Sequence, residues 1–384
     1  MRPPQLSIVL PCLNEALTLS KCIVQARQAL EDAHLSGEII VADNGSTDGS
    51  REIALAHGAR VIPVEQRGYG YALQAGISAA RAPYVLMGDA DCSYDFGHAG
   101  RFVALLDEGY DLVMGNRFKG GIKPRAMPWK NRYIGNPLLT TIGRILFSCP
   151  VGDFHCGLRA FRKEAFDRMD LRTGGMEFAS EMVIRATLLN LRIGEIPTTL
   201  SPDGRNRPPH LRPWRDGWRH LRFMLLFSPR WLFLHPGFAL MAAGTVLGGL
   251  ILPGPVALGR LTLDVHTLLF CAIAVLIGFQ SVQFAILTKV FAIRSGLRPR
   301  EPAFERAMRW ITLEAGLILG ALMVSAGLGL SLGAVLQWNA HQFGPLSPAE
   351  TLRWVIPGGL LLALGCQTVL GSCFLGILGL KLSK

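Results

Sequence analysis

The stretch VLMGDADCSYD, residues 85–95, begins as a buried strand and ends in acid. A short apolar run stops at Gly88, and two carboxylates, Asp89 and Asp91, follow with only Ala90 between them. One acid after a strand is ordinary turn chemistry. Two acids flanking a small residue offer hard oxygen donors to a divalent cation, and such donors suit Mg2+ or Mn2+. Taken alone, the pair is equally compatible with a capped strand end, so the reading depends on its surroundings.

Outward from this stretch, short apolar runs at residues 6–10, 38–42, 60–64, 84–87 and 111–114 read as strands. Helical spacing covers residues 16–33 and 69–80, and another helix opens near Thr47-Asp48-Gly49-Ser50, with Ser46 or Thr47 as its cap. Strands alternating with helices predict an α/β domain with a Rossmann-like parallel sheet. Ligands of such sheets collect beyond the carboxyl ends of the strands. Asn14-Glu15, Asp43-Asn44 and Asp89/Asp91 all fall at such ends.

The chain has 384 residues, 50% of them hydrophobic and 17% charged. That balance is too apolar for one soluble domain. It is also uneven, because charges nearly vanish after Trp231. Four apolar runs, at residues 231–252, 265–293, 311–336 and 354–380, each have the length of a membrane span. The loop between the second and third runs carries Arg294, Arg298, Arg300, Arg306 and Arg309, which the positive-inside rule puts in the cytoplasm. The opening MRPPQLSIVLP has no apolar region of signal-peptide type. Both arguments lead to the same expectation: an integral protein of the cytoplasmic (inner) membrane, with its N-terminal part and both termini in the cytoplasm.

The net charge of +11 concentrates beside apolar segments, which favours a lipid surface over nucleic acid. No RNA-binding signature or zinc-finger spacing is present. The eight cysteines form no CxxC pair and read as reduced thiols. Residues 211–230 read as an amphipathic interfacial helix, with Arg215, Arg219 and Arg222 towards phosphates and Trp214, Trp218, Leu221, Leu225 and Leu226 as apolar surface. The expected organisation is a catalytic domain at residues 1–210, this helix at 211–230, and an all-α membrane domain of four helices at 231–384.

IVLPCLNEA (residues 8–16), VADNGSTDGS (41–50), RGYGYALQAG (67–76) and GDADCSYD (88–95) stand in the order found in family 2 glycosyltransferases. MGNRFKGG (114–121), RYIGNPLLT (132–140), DFHCGLRAFRK (153–163) and GMEFASEM (175–182) resemble the dolichol-phosphate mannosyltransferase-like branch, whose members glycosylate polyprenyl phosphates. The resemblance spans roughly residues 6–237 and implies a GT-A fold. It implies a UDP- or GDP-sugar donor, a polyprenyl phosphate acceptor, and Mg2+ or Mn2+ held by Asp89 and Asp91. Pro11, Asn14, Glu15, Asp43 and Gly68 match positions around the donor nucleotide, and Asp89 contributes there too. Arg117 and Arg132 match arginines that hold the acceptor phosphate, for which the planar guanidinium is suited. Asp153 matches an acid near the reacting centre that orients the acceptor or acts as base. Arg159, Glu177 and Glu181 are expected to form local ion pairs or to shape an acceptor channel. The resemblance leaves room for a homo-oligomer.

Two departures stand out. Ser93 occupies a position where some relatives have a further metal ligand. Pro209-His210 replaces a Ser-Lys pair, which opens a phosphate role to Arg205, Arg207 or His210. Two rival readings are a glycosyltransferase with another glycan or lipid acceptor, and a non-catalytic membrane protein that binds sugar nucleotides. A cellulose-synthase-type enzyme is disfavoured, since the chain has neither a QxxRW motif nor spans ahead of the α/β part.

Overall fold

A computed structural model describes residues 3–205, 213–296, 298–299 and 301–379. Arg207, Pro209, His210 and Arg300 therefore lie outside the described residues. The chain forms two compact units that meet at Phe227/Ser228.

The first unit opens with β1 (Leu6–Cys12), α1 (Leu19–Asp32), β2 (Gly37–Asp43), α2 (Ser50–Ala56), β3 (Arg60–Pro63), α3 (Tyr69–Ser78) and β4 (Tyr84–Met87). It continues with α4 (Ala99–Asp107), β5 (Leu112–Asn116), α5 (Arg117–Gly120), α6 (Asn136–Phe147), β6 (Arg159–Arg162), α7 (Lys163–Met169), α8 (Phe178–Leu188), β7 (Ile193–Pro197) and α9 (Pro213–Leu226). The seven strands make one sheet in the order β3-β2-β1-β4-β6-β5-β7.

Alternation along the strands builds a core on each face. Leu6, Ile8 and Leu10 of β1 point to one side, with Ile39, Val41 and Leu86, and pack beneath α1 and α4. Val9, Ile40, Val85, Met87, Leu112 and Met114 point to the other side, towards α3 and α8. Helices on both faces of a mostly parallel sheet are the GT-A-like arrangement the strand pattern predicts.

The sheet is mixed, not wholly parallel. β6 runs antiparallel to both β4 and β5, while β1–β4, β1–β2, β2–β3 and β5–β7 pair in parallel. Neither β6 nor β7 is legible as a strand. The reason for β6 is its composition: four residues, RAFR, with an arginine at each end. Arg159 is nevertheless fully buried. Its guanidinium donates to the carbonyls of Cys156 (2.7 Å), Ala179 (2.6 Å) and Phe154 (3.3 Å). It is thus a hydrogen-bonded core residue, not a partner of Glu177 or Glu181.

The helix after β2 also starts later than expected. Gly49, at φ 87°, precedes α2, so neither Ser46 nor Thr47 is its cap. Gly49 adopts this left-handed conformation at no steric cost. Asp48 accepts from the Ser50 amide (3.1 Å) instead.

In the second unit, four helical segments have the length and hydropathy to cross a membrane: Arg230–Ile251, Val265–Arg294, Leu313–Ala340 and Pro348–Leu378. They correspond to α10 (His235–Ile251, preceded by a π-helical turn at Arg230–Leu234), α11 (Val265–Arg294), α13 (Leu313–Ala340) and α14 (Pro348–Gly379); the short α12 (Pro302–Met308) lies between the second and third. Glycines let paired helices approach closely, as in membrane bundles. Gly237 faces Gly278 between α10 and α11, and Gly320 faces Gly365 between α13 and α14. Gln283 donates to the Gln367 carbonyl (2.9 Å), so this polar side chain faces the bundle.

Arg159→Met removes a buried donor from three carbonyls at once. We expect it to destabilise the first unit by roughly 3 kcal/mol, about 5–10 °C in apparent Tm in detergent. A thermal unfolding series against a surface control such as Arg101→Met checks this.

Candidate active site at the carboxyl edge of the sheet

Parallel pairing brings the ends of β1, β2, β4 and β5 to one edge. The reversed β6 brings its amino end there as well. Asn14 and Glu15, Asp43, Asp89 and Asp91, Arg117, and the loop containing Asp153 therefore converge on the same side of the sheet.

The acidic cluster is held by specific partners. The Asp89 Oδ1 accepts from the Tyr69 hydroxyl (3.0 Å). Burial, then the neighbouring Asp91 charge, pushes the Asp89 carboxyl up to about 7, and the Tyr69 bond only partly offsets this. Burial and Asp89 together keep the Tyr69 phenol protonated well above its ordinary range. Asp91 accepts from the Ser93 amide (3.0 Å), so Ser93 contributes backbone support.

Arg205 closes the cluster. Its guanidinium reaches Asp91 Oδ2 (2.7 Å), Glu15 Oε1 (3.1 Å) and Asp203 Oδ2 (3.1 Å). Burial works against that charge, but Asp91, Glu15 and Asp203 hold it firmly cationic. Among the described residues, no three His, Cys, Asp or Glu side chains form a ready ligand set for a metal. The donors nevertheless fit a hard divalent cation: crowded carboxylates that repel each other, already bridged by one positive group. Asp89 and Asp91 would hold that cation, and the guanidinium would have to yield Asp91 to it.

The second centre is a buried ion pair. Arg117 Nε and Nη2 donate to Asp153 Oδ2 (2.7 Å) and Oδ1 (2.8 Å), and the Arg117 amide donates to the same carboxylate (3.0 Å). Burial disfavours the Arg117 charge, but Tyr94 and Asp153 more than offset it. The pair uses Nε and Nη2, so Nη1 has no hydrogen-bond partner among the described residues. Glu195 fixes the Asp153 loop, accepting from the Gly152 and Asp153 amides and from Asn116 (3.1 Å). Arg132 makes no hydrogen bond to this pair among the described residues. It donates to the Ile122 carbonyl (3.4 Å), and its guanidinium lies over Tyr133.

The remaining expected donor residues have structural partners of their own. Asp43 accepts from the Ser46 amide (3.1 Å) and from Arg51. Burial alone would raise its pKa, but these bonds lower it. Asn14, at φ 58°, accepts from the Thr47 amide (2.8 Å), which ties the ends of β1 and β2 together. Pro11 is a half-buried residue within β1. The Gly68 amide donates to Asn44 (2.7 Å), and a Cβ at Gly68 would overlap the Gly174 carbonyl. Close backbone packing thus accounts for this glycine. Glu181 accepts from the Arg172 (3.1 Å) and Thr173 (2.9 Å) amides and braces that same loop.

Sequence reading missed Tyr69, Glu195 and the grip of Arg205. Tyr69 lies inside the motif RGYGYALQAG, of which the resemblance singles out only Gly68. Glu195 sits in an unrecognised strand. α9 belongs to the first unit and buries Asp216, His220 and Met224 there, with His220 against Ser180 (2.8 Å). Trp218 and Leu226 of α9 remain exposed.

Comparison with known proteins gives the family of the chain. Residues 7–170 match the family model Glycosyl transferase family 2, and residues 286–379 match Glycosyltransferase family 2 C-terminal transmembrane region. The chain is 37% identical over 381 residues to the low-salt glycan biosynthesis hexosyltransferase Agl6 of Haloferax volcanii, covering 98% of this chain and 89% of that protein. It is 31% identical over 192 residues to a dolichyl-phosphate hexose transferase of Haloferax volcanii, covering 50% of this chain and 81% of the relative. Among solved structures, glucosyl-3-phosphoglycerate synthase of Mycobacterium tuberculosis with Mn2+ and UDP aligns with a TM-score of 0.46 at 25% identity, over 58% of this chain and 79% of the other. The chain belongs to glycosyltransferase family 2. It is a membrane-integrated glycosyltransferase.

Arg205→Ala removes the cation that competes for Asp91 and Glu15. We expect Mn2+ to bind the full-length protein roughly five- to tenfold more tightly, as read by Mn2+ electron paramagnetic resonance titration.

Proposed function

We propose that the enzyme transfers a hexosyl group from a nucleoside diphosphate hexose to a polyprenyl phosphate, with inversion, at the cytoplasmic face of the membrane. The observation that carries this reading is the pairing of two opposite sites at one sheet edge. One is an acidic cluster suited to a metal-bound diphosphate; the other is a buried arginine with one nitrogen unpaired among the described residues, suited to a phosphate. The hexosyltransferase and dolichyl-phosphate relatives support the sugar and the acceptor class. The four apolar helices fit an acceptor whose phosphate lies at a bilayer surface.

A bound Mg2+ or Mn2+ supplies charge neutralisation for the departing diphosphate. The protein's own groups do the rest. Tyr69 orients Asp89, and the backbone of Ser93 orients Asp91. Asp153 holds Arg117 in a bidentate grip, so Nη1 points at a fixed place, and Arg132 adds a second cation for the acceptor phosphate. An acceptor phosphate is already ionised at neutral pH, so its oxygen needs no strong base. With three donors on its two oxygens, Asp153 acts as a positioning residue. Asp43, Asn14, Glu15 and Gly68 shape the nucleotide side through the turns they brace, and Pro11 lies in β1 just ahead of Asn14 and Glu15. The exposed Trp218 and Leu226 of α9, with Arg215 and Arg222, suit contact with lipid.

Membranes containing the enzyme, given undecaprenyl phosphate and a panel of UDP- and GDP-hexoses with Mn2+ or Mg2+, should form a chloroform-soluble sugar lipid. Asp91→Asn should lower the rate roughly 100-fold or more. Nucleotide binding without product across the panel would favour the non-catalytic reading instead.

Asp153→Asn tests positioning against base catalysis. We expect a kcat loss of about 100-fold, with the acidic limb of the pH–rate profile retained, because that limb near pH 6 belongs to the acceptor phosphate. Loss of the limb in the variant would make Asp153 the base.

A further inference from the structure

The longest stretch of the first unit without a carboxylate runs from Leu112 to Gly152, and it carries seven Lys or Arg residues. Arg117 and Lys119 are paired, with Asp153 and Glu195. Lys123, Arg125, Lys130 and Arg144 are exposed, and none has a carboxylate partner among the described residues. So many unneutralised cations along one acid-free stretch favour a local positive field.

The same stretch exposes a large apolar surface. The π-helical turn Asn131–Gly135 runs directly into α6. The inner face of that helix buries Thr140, Gly143 and Phe147, with Leu139, Ile142 and Leu146 packed against the core. The opposite face presents Ile134 (54% exposed), Leu138 (55%) and Ile145 (53%), spaced as one stripe. Trp129 (62% exposed) and Tyr133 (67%) stand at its amino end, beside Lys130. A solvated helix of a globular domain puts polar groups on this face. Here both faces are apolar, and the outer one is rimmed by cations.

From this we infer that the outer face of residues 129–145 docks onto the surface of an anionic lipid bilayer. The apolar stripe enters the headgroup boundary, Trp129 and Tyr133 sit at headgroup level, and Lys123, Arg125, Lys130 and Arg144 meet lipid phosphates. Charge complementarity selects this occupant. A two-fold contact with a second copy would set the same acid-free, basic surface against itself. The chain also carries its own membrane spans, so the stripe meets lipid at high effective concentration. This docking is independent of which acceptor or donor the enzyme uses.

The test uses the full-length protein in nanodiscs holding one chain each, of phosphatidylglycerol with or without bromine on the acyl chains near the headgroup. The chain has seven tryptophans, so the Trp129 signal is the difference between wild type and Trp129→Phe. We expect brominated lipid to remove about half or more of that difference signal. Lys130→Glu combined with Arg144→Glu should restore it in a variant that melts at the wild-type temperature. An unquenched Trp129 overturns the proposal. Quenching that survives the double charge reversal overturns the role of anionic lipid. An unquenched Trp129 whose emission changes only when two chains share a disc assigns the surface to a second copy and also overturns it.

Discussion

Glu15, Asp89 and Asp91 bring carboxylates to the end of neighbouring strands, and mutual repulsion makes that arrangement costly without a cation. The surrounding structure manages this cost at several points. The Tyr69 hydroxyl takes one oxygen of Asp89, the chain turns so that the Ser93 amide serves Asp91, and Arg205 spans Asp91 and Glu15. Burial amplifies the interaction, since a low local dielectric strengthens both repulsion and any compensating charge. A cluster of this kind offers hard oxygen donors to a positive group, and in this structure that group is the Arg205 guanidinium. The proposed chemistry draws on that property.

The sheet supplies the complementary charge through one reversal. Had β6 been parallel, the loop that carries Asp153 would lie at the opposite edge. Because it is antiparallel to β4 and β5, Asp153 meets Arg117 directly beyond β5. The resulting pair is almost wholly buried, with side-chain exposures of 9% and 0%. Such a pair contributes less to stability than its short distances suggest, because both charges lose hydration. Its value is orientation: a guanidinium gripped on two nitrogens has one direction left for the third. Glu195 and the buried Arg159 extend the same principle, fixing loops through backbone amides and carbonyls.

The two compact units use different solvents in different ways. The first packs β-branched and aliphatic side chains on both faces of a sheet, where the hydrophobic effect does the work. The second pairs long apolar helices through glycines, since lipid removes the hydrophobic drive between helices and leaves close van der Waals packing. Within the first unit, the stretch from Leu112 to Gly152 departs from soluble-domain habit by exposing apolar and basic groups together, and α9 exposes Trp218 and Leu226. Both surfaces set exposed apolar side chains beside basic ones, the pairing of groups on which the proposed lipid contact rests.

Much of this was legible in one dimension. Strands β1 to β5 and the four long apolar helices follow from periodicity and length, which depend only on near neighbours along the chain. The positions of Asp43, Asp89 and Asp91 at strand ends follow from the same reading. Helix starts were less legible: Gly49, not Ser46 or Thr47, precedes α2, because the side chains of Asp43 and Asp48 had already claimed the nearby amides. The reversal of β6, the buried arginine within it, the grip of Arg205 on Asp91 and the hold of Asp153 on Arg117 were decided by tertiary structure alone. Each joins residues distant in sequence, and no local pattern specifies which carbonyl or carboxylate a guanidinium will meet. By itself the sequence determined an α/β unit with acids at its strand ends and a separate set of membrane spans. Only the folded chain decided how those acids are neutralised and which arginine is aimed, because burial and hydrogen-bond satisfaction are properties of three-dimensional proximity.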